Sequence, residues 1–254
     1  MDYIGYADDL AMVFDSISNL IRGLEIVNTV FKRFGLIINE TKTKTMLLNF
    51  QETEENYPKT IAKLNNSEIE NVKSFQYLGG KITFNQQNTG DDEITSRIDM
   101  AETAYHKHQK KFQNHKIKLT TRVSILNSLV RSRLTYGCQT WILNNRQIDK
   151  MNSVYCQLLR KMIRRGFDRK PDEWAFVLSN NDILRICKME NISTFVSKQK
   201  ERYLAHMLRL SDNSMTKRLL FNSNATKLQG RQTNYLKSIL GEQDLREFAA
   251  SSRN

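Results

Sequence analysis

The sequence has 254 residues, of which 39 are Lys or Arg and 27 are Asp or Glu, and its formal net charge is +12. This basic excess predicts a polyanionic partner, and nucleic acid fits it better than a membrane surface does. The hydrophobic content of 39% argues against a wholly disordered chain. There is no apolar run long enough to span a bilayer, no secretory leader pattern and no cysteine framework. We therefore expect a soluble protein of the nucleus or cytoplasm that is not secreted and not bound to a membrane.

The charge is distributed unevenly along the chain. Residues 1–96 contain 9 basic and 14 acidic residues, whereas residues 97–254 contain 30 basic and 13 acidic residues. An acidic front joined to a basic back predicts two regions with different roles, rather than one uniformly basic surface.

The first residues have the pattern of a β-hairpin. Two short apolar runs, Tyr3–Tyr6 and Leu10–Phe14, flank the triplet Ala7-Asp8-Asp9. Apolar runs separated by so few residues predict paired strands, with the two acids at the turn.

A helix and further strand-like runs follow this hairpin. The helix is predicted to begin at a cap on Asp15 or Ser16 and to end at Gly35, because apolar residues recur between them at helical spacing. The next segments are predicted to be strands at 36–38 and 45–48, a polar loop at 51–68, and a second hairpin at 75–84 bent at its two glycines.

From about Asp91 onwards the apolar residues recur with helical period. They form three stripes. The first is Ile98, Ala101, Tyr105, His108 and Phe112, and the third is Ile148, Met151, Tyr155, Leu158 and Met162. The second is Val123, Leu126, Val130 and Leu134, and its helix is predicted to begin at a cap on Thr120 or Thr121. These stripes predict a helical core, in which we also expect Tyr136, Trp141 and Trp174.

The adjacent acids Asp8 and Asp9 are the sharpest chemical feature. Two carboxylates a few ångströms apart repel each other unless a cation lies beside them. Mg²⁺ prefers carboxylate ligands, and a pair of Mg²⁺ ions catalyses nucleotidyl transfer. By spacing alone, an ordinary solvated turn is the more common explanation of such a pair.

Five short sequence motifs follow one another along the chain. They are Tyr6-Ala7-Asp8-Asp9, the segment GLIINETKTK at Gly35–Lys44, the segment FQYLG at Phe75–Gly79, the segment Lys118–Trp141 ending in LTYGCQTW, and the segment RYLAHMLR at Arg202–Arg209. In this order they resemble the reverse transcriptases of non-LTR (LINE-type) retrotransposons. Gly230-Arg231-Gln232 stands where that family has Gly-Arg-Pro, so this last match is imperfect.

The resemblance implies roles for the residues of the first hairpin. Asp8 would be a magnesium ligand and Asp9 its partner in a two-metal site. Tyr6 and Ala7 would shape the approach of the primer end, although a packed aromatic beside a turn remains an alternative for Tyr6.

The resemblance also implies roles for two later segments. Lys42 and Lys44 would contact the triphosphate or template phosphates, and solvated turn lysines are an equally good explanation. Four residues would form a primer grip, namely Phe75, Tyr77, Leu78 and Gly79. For the aromatic residues of this set, a place in the core is the preferred alternative to stacking on nucleotides.

The basic residues of the second half are clustered. Two groups are candidates for phosphate contacts: Lys107, Lys110, Lys111, Lys116 and Lys118, and then Arg160, Lys161, Arg164, Arg165, Arg169 and Lys170. Solvated helix faces are the usual explanation of such clusters, but the basic bias of this half favours nucleic-acid binding.

The predicted fold is α+β. A truncated polymerase palm, made of short antiparallel hairpins and one helix, is followed by a mainly helical thumb and C-terminal region. The four predicted parts are a palm remnant at 1–50, a polar loop and primer-grip-like hairpin at 51–90, a helical thumb at 91–145 and a basic helical C-terminal region at 146–254.

The predicted function is that of a reverse transcriptase fragment. Family members need another metal-binding aspartate from an earlier strand and fingers that position the dNTP on an RNA template and DNA primer. We expect neither ahead of Asp8, so this chain should bind Mg²⁺ weakly and be inactive alone. Two alternatives stay open: a non-catalytic basic remnant that binds nucleic acid, and an unrelated α+β protein with a chance Asp-Asp turn. The oligomeric state is not predicted.

Overall fold

The structure is a computed structural model that describes residues 2–48, 56–84, 89–164, 178–221, 231–240 and 248. The chain divides into two compact units, Met1–Thr89 and Gly90–Asn254. Within the described residues, every strand lies in the first unit and helices dominate the second, so the expectation of mixed helices and antiparallel strand pairs is confirmed. The palm, thumb and four-part division remain predictions.

The boundary between the units changes the charge count. Residues 1–89 contain 9 basic and 11 acidic residues, and residues 90–254 contain 30 and 16. Asp91 and Asp92 lie in the first turn of a helix in the second unit, where the positive end of the helix dipole favours acids. The first unit is therefore closer to neutral than the sequence count to residue 96 indicated.

The first unit contains three two-stranded antiparallel sheets. Their strands are β1 (Asp2–Tyr6) with β2 (Asp9–Val13), β3 (Thr60–Leu64) with β4 (Ser67–Glu70), and β5 (Ser74–Tyr77) with β6 (Gly80–Thr83). Each pair is joined by a two-residue turn. In the turns Asn65-Asn66 and Leu78-Gly79 both residues have positive φ, which is the pattern of the type I′ turns that match strand twist. The bend of the β5–β6 hairpin thus lies one residue before the two glycines that were predicted to form it.

The predicted polar loop at 51–68 is wrong over its second part, because β3 and the start of β4 lie there. Ala62 and Leu64 lie on either side of the exposed Lys63, and together with Ile69 they are buried in one cluster. The Asn65-Asn66 pair was the sequence signal of this hairpin, since asparagine tolerates positive φ. Residues 51–55 lie outside the described residues.

The predicted helix is confirmed as α1 (Ile17–Arg33). The Ser16 side chain accepts a hydrogen bond from the backbone N–H of Asn19 across 3.2 Å, so Ser16 is its cap. The helix ends just before Gly35, whose φ of +73° suits glycine. Leu24 of α1 packs against β3 and β4, and this contact forms the core of the first unit.

The strands predicted at 36–38 and 45–48 are wrong. Residues 36–39 are irregular, and in the second segment only Thr45 makes an isolated bridge, to Asn71. Between the two segments, the Asn39 side chain accepts a hydrogen bond from the Lys42 N–H across 3.0 Å, and this local turn replaces a strand ladder.

Helices follow along the rest of the described chain. They are α2 (Thr89–Phe112), α3 (Leu119–Leu126), α4 (Ser132–Leu134), α5 (Asn145–Arg164), α6 (Asn180–Cys187), α7 (Ile192–Arg209), α8 (Met215–Phe221) and α9 (Arg231–Leu240). A π-helical turn, Asn127–Arg131, joins α3 to α4, and a 3₁₀ turn lies at Cys138–Thr140. No helix in the described ranges is long and apolar enough to cross a membrane.

The three predicted apolar stripes form the core of the second unit. Tyr105, Leu126 and Tyr155 represent the three stripes, and each is fully buried in one cluster. His108 and Ile148 are the exceptions, because both are only half-buried. The periodicity of the sequence therefore located this core correctly.

Two finer expectations in this region are wrong. The helix α3 begins at Leu119, after Lys118, and neither Thr120 nor Thr121 caps it. Tyr136 is exposed rather than part of the core. Trp141 is partly buried and packs against the core cluster. Trp174 lies outside the described residues.

Candidate functional site

The four residues of the first motif form the tip of the β1–β2 hairpin. Tyr6 pairs with Asp9, so Ala7 and Asp8 are the two turn residues. All four are exposed, and Ala7 has a φ of +52°. A non-glycine residue with positive φ is uncommon, and such strain is concentrated at functional sites and tight turns. The hairpin thus projects two adjacent carboxylates into solvent.

The donor set at this tip suits magnesium. Mg²⁺ keeps several waters and is commonly held by one or two carboxylates together with substrate phosphates. Asp8 and Asp9 are neighbours, exposed and both carboxylates, so the residues present fit such an ion. Among the residues that the structure describes, no group of three or more His, Cys, Asp and Glu side chains comes together.

The predicted primer-grip hairpin lies next to the carboxylate hairpin. The Tyr77 hydroxyl donates a hydrogen bond to the Ile4 carbonyl oxygen across 3.3 Å. Tyr77 is half-buried, whereas Phe75 and Leu78 are 38% and 41% exposed. The structure therefore brings together two motifs that are far apart in the sequence, and it does not bury Phe75 as the core interpretation expected.

Lys42 and Lys44 have different surroundings. Lys44 Nζ lies 2.6 Å from Glu70 Oε2, in an ion pair that ties this segment to β4. Lys42 is exposed, and no ion pair of its ammonium is found among the described residues. Of the two candidates, Lys42 is the one whose charge is available to a phosphate.

A side-chain network that the sequence did not reveal holds the segment before Lys42. Asn65 Oδ1 accepts hydrogen bonds from Asn28 Nδ2 across 2.9 Å and from Lys32 Nζ across 2.8 Å. Asn65 Nδ2 donates to Glu40 Oε1 across 2.9 Å, and hydrogen bonds from the side chains of Ser67 first and of Asn65 second lower the pKa of the Glu40 carboxyl. The network joins α1, the β3–β4 turn and the Gly35–Lys44 segment into one piece.

The first basic cluster lies on the surface of the second unit. Lys107, Lys110 and Lys111 are exposed on the last turns of α2, and Lys116 and Lys118 are exposed in the connection to α3. A shallow groove along α2 is lined by His106, Gln109, Lys110 and Gln113. The groove combines a cation with amide and imidazole groups, which suits contacts to phosphate and sugar oxygens.

The second basic cluster is less uniform than predicted. Arg160 Nη2 donates to the Leu178 carbonyl oxygen across 3.0 Å and to Asn180 Oδ1 across 2.9 Å, so this arginine anchors the start of α6. Lys161 is exposed on α5. The Arg164 side chain and the residues Arg165, Arg169 and Lys170 lie outside the described residues.

Two comparisons with known proteins find similar sequences. Residues 1–82 match the family model described as reverse transcriptase (RNA-dependent DNA polymerase), and this range contains the first hairpin of the candidate site and all but the last residue of the second. The chain is 23% identical over 211 residues to a transposon-derived protein of Caenorhabditis elegans, and the overlap covers 83% of this chain and 73% of that protein. No solved structure matches the chain significantly. The chain is thus similar to reverse transcriptases over residues 1–82, and it is similar to a transposon-derived protein over most of its length.

Proposed function

We propose that the chain is part of the RNA-directed DNA polymerase of a non-LTR retrotransposon. The proposal is carried by the position of Asp8 and Asp9, which are adjacent and exposed at a hairpin tip inside the range that matches reverse transcriptases. The order of the later segments, from Gly35–Lys44 to Arg202–Arg209, supports the narrower assignment to the non-LTR type.

In the parent enzyme, the residues of the two hairpins would have different roles in metal binding and primer positioning. Asp8 and Asp9 would hold Mg²⁺, which when bound activates a primer 3′-hydroxyl and stabilises the leaving pyrophosphate. Tyr6 flanks the carboxylates and would limit the approach of the primer end. Tyr77, through its hydrogen bond to Ile4, keeps the primer-grip-like hairpin beside the carboxylates. Positioning of this kind contributes a large share of the rate in nucleotidyl transfer.

Two further sets of residues would bind the substrates. Lys42, with its exposed ammonium, would contact the dNTP triphosphate or template phosphates. The exposed lysines of α2 and of the α2–α3 connection would hold the backbone of an RNA template and DNA primer without reading their sequence.

The metal proposal is tested with Mn²⁺, which is a paramagnetic substitute for Mg²⁺. Among the described residues no third ligating side chain joins this pair, and two carboxylates alone bind such ions weakly, so we expect a weak site in electron paramagnetic resonance titrations of the chain. The double variant Asp8→Asn/Asp9→Asn should lose this site, and Asp2→Asn, on the same hairpin, should keep it. Equal Mn²⁺ binding by the chain and the double variant would contradict the role of Asp8 and Asp9.

Activity is tested by primer extension on an RNA template with Mg²⁺ and all four dNTPs. We expect no templated synthesis by this chain alone, since two weakly binding carboxylates do not assemble the two-metal centre that the reaction needs. Templated extension that is abolished by Asp8→Asn would contradict the expected inactivity and would support the polymerase assignment itself.

A second candidate function is a non-catalytic module that binds nucleic acid. The charge of the second unit favours it, because 30 basic and 16 acidic residues lie at 90–254, independently of the carboxylate hairpin. The two functions are separated by measuring the binding of an RNA–DNA duplex with and without Mg²⁺. A binding module should be indifferent to Mg²⁺ and to the Asp8→Asn/Asp9→Asn variant, apart from ordinary salt screening.

A further inference from the structure

Tyr136 is an exposed aromatic residue at the end of α4. Its side chain is 52% exposed, and among the exposed large apolar side chains in the described part of the second unit it is the one aromatic. The residue lies directly before Gly137, whose φ of +76° turns the chain into the following 3₁₀ turn. Tyrosine is normally covered to a greater extent when it serves only to fill a core.

The orientation of the Tyr136 ring is fixed by a buried ion pair. Arg97 Cζ lies 4.8 Å from the ring centroid, which is within the range of a cation–π contact. Arg97 Nε in turn lies 2.6 Å from Glu93 Oε1, and the two residues are only 5% and 8% exposed. Because the guanidinium is held by its buried carboxylate, the exposed ring is ordered before any ligand arrives, and this lowers the entropy cost of stacking on it.

An arginine, Arg133, precedes Tyr136 by three residues in the chain. Arg133 is exposed, and its carbonyl oxygen accepts a hydrogen bond from the Tyr136 N–H across 3.5 Å, so the two residues lie in one turn. The guanidinium of Arg133 also donates to the Leu129 carbonyl oxygen through Nη1, which leaves other N–H groups for a phosphate. An ordered aromatic ring with an arginine in the same turn of the chain supplies the two kinds of group with which proteins bind single-stranded nucleic acids, a face for a base and a cation for a phosphate.

We infer that Tyr136 stacks on an unpaired base of a single-stranded nucleic acid, while Arg133 contacts the neighbouring phosphate. The inference rests on the proposed function, in which the lysines of α2 contact phosphates. It adds a residue that recognises a base. It also gives a role to an aromatic side chain that is exposed in the basic second unit.

The experiment compares two ligands of equal length and charge. One is a fluorescently labelled single-stranded oligouridylate, and the other is the same backbone with abasic sites throughout. We expect Tyr136→Ala to weaken binding of the base-bearing strand by ~5- to 150-fold, the loss found for a single base–aromatic stack, and to leave binding of the abasic strand unchanged. Tyr136→Phe keeps the π-face and should bind both strands as the unchanged chain does.

Two further variants keep the test decisive. Ile142→Ala removes another exposed apolar side chain and should bind both strands normally. Tyr136→Leu covers Arg97 without an aromatic ring, so it replaces Tyr136→Ala if that variant fails to fold. Equal weakening of both strands, or no weakening of either, would overturn the stacking role. Binding of the abasic strand by the unchanged chain reports on phosphate binding alone, so a failure of the proposed nucleic-acid function would show there instead.

Discussion

The Tyr77 hydroxyl donates a hydrogen bond to the Ile4 carbonyl oxygen across 3.3 Å and links the primer-grip-like hairpin to the carboxylate hairpin. We predict that Tyr77→Phe loosens this link at a cost of ~0.5–1.5 kcal/mol, the usual net value of one hydrogen bond. Amide hydrogen exchange of residues 3–6 is the measurement, and it should become faster. Tyr3→Phe is the matched control, and equal exchange rates in all three proteins would contradict the link.

The ion pair between Lys44 and Glu70 predicts that two neighbouring lysines differ in function. Lys42→Ala should weaken binding of an RNA–DNA duplex at low salt and lower the salt slope by ~1, as expected when one phosphate contact is lost. Lys44→Ala should change duplex affinity less, because Glu70 already neutralises this ammonium across 2.6 Å. A larger loss of affinity for Lys44→Ala than for Lys42→Ala would reverse the assignment.

We predict that substitution of Arg122, which lies away from the candidate site, strongly lowers the stability of the chain. Its buried guanidinium donates through Nη1 to the Phe112 carbonyl oxygen across 3.0 Å and to that of Met162 across 3.1 Å. These carbonyls lie in the last turns of α2 and α5, where a cation also complements the helix dipoles. Arg122→Met should lower the free energy of unfolding by ~2–4 kcal/mol, because two buried acceptors lose their donor.

Urea denaturation followed by circular dichroism measures this loss. Arg185→Met is the matched control, since the Arg185 side chain is 81% exposed and forms a surface ion pair with Asp182. We expect the control to change the free energy of unfolding by ~0.5 kcal/mol or less. If both variants unfold at the same urea concentration, Arg122 does not hold the two helix ends together.

The cysteines of the second unit predict a slow, pH-dependent thiol reaction. Burial raises the pKa of Cys138 from 9.0 to about 11 and that of Cys187 from 9.0 to about 11. Burial also raises the pKa of the Cys156 thiol. Since the thiolate is the reactive form, alkylation of Cys138 or Cys187 in the native chain at pH 8 should be slower by ~100-fold than in urea, before hindered access is added.

The same raised pKa values fix the direction of the pH effect. The native thiols should still gain reactivity between pH 9 and pH 11, whereas the thiols of the unfolded chain level off above their ordinary pKa. Mass spectrometry of the alkylated peptides assigns each cysteine. Native labelling at the rate of the unfolded chain would show that the core containing these cysteines is not closed.

Local chemistry explains which parts of the fold could be predicted from sequence. The helix α1 carries its own cap at Ser16 and its own stop at Gly35, so a short window of sequence contains all of its signals. The run at 36–38 misled the prediction because apolar residues usually indicate burial, whereas Ile37 is 86% exposed. The β3–β4 hairpin was missed because few of its residues are apolar.

Long-range contacts account for the remaining differences at the candidate site. The Asp8-Asp9 turn was predicted because its two strands are adjacent in sequence. The partner of Lys44 lies 26 residues away, and nothing near Lys44 signals it. The contact of Tyr136 with Arg97 is likewise long-range, because Arg97 lies on α2, 39 residues before Tyr136.

Both proposed functions require the second unit to hold nucleic acid through phosphate contacts, and a salt titration of RNA–DNA duplex binding tests this requirement. We predict that affinity rises steeply as salt falls, and that the triple variant Lys107→Ala/Lys110→Ala/Lys111→Ala lowers the salt slope by ~2–3, or about 0.9 for each lost contact. Ile142→Ala serves as the uncharged control and should leave the slope unchanged. Absence of binding even at low ionic strength, or an unchanged slope in the triple variant, would contradict the claim.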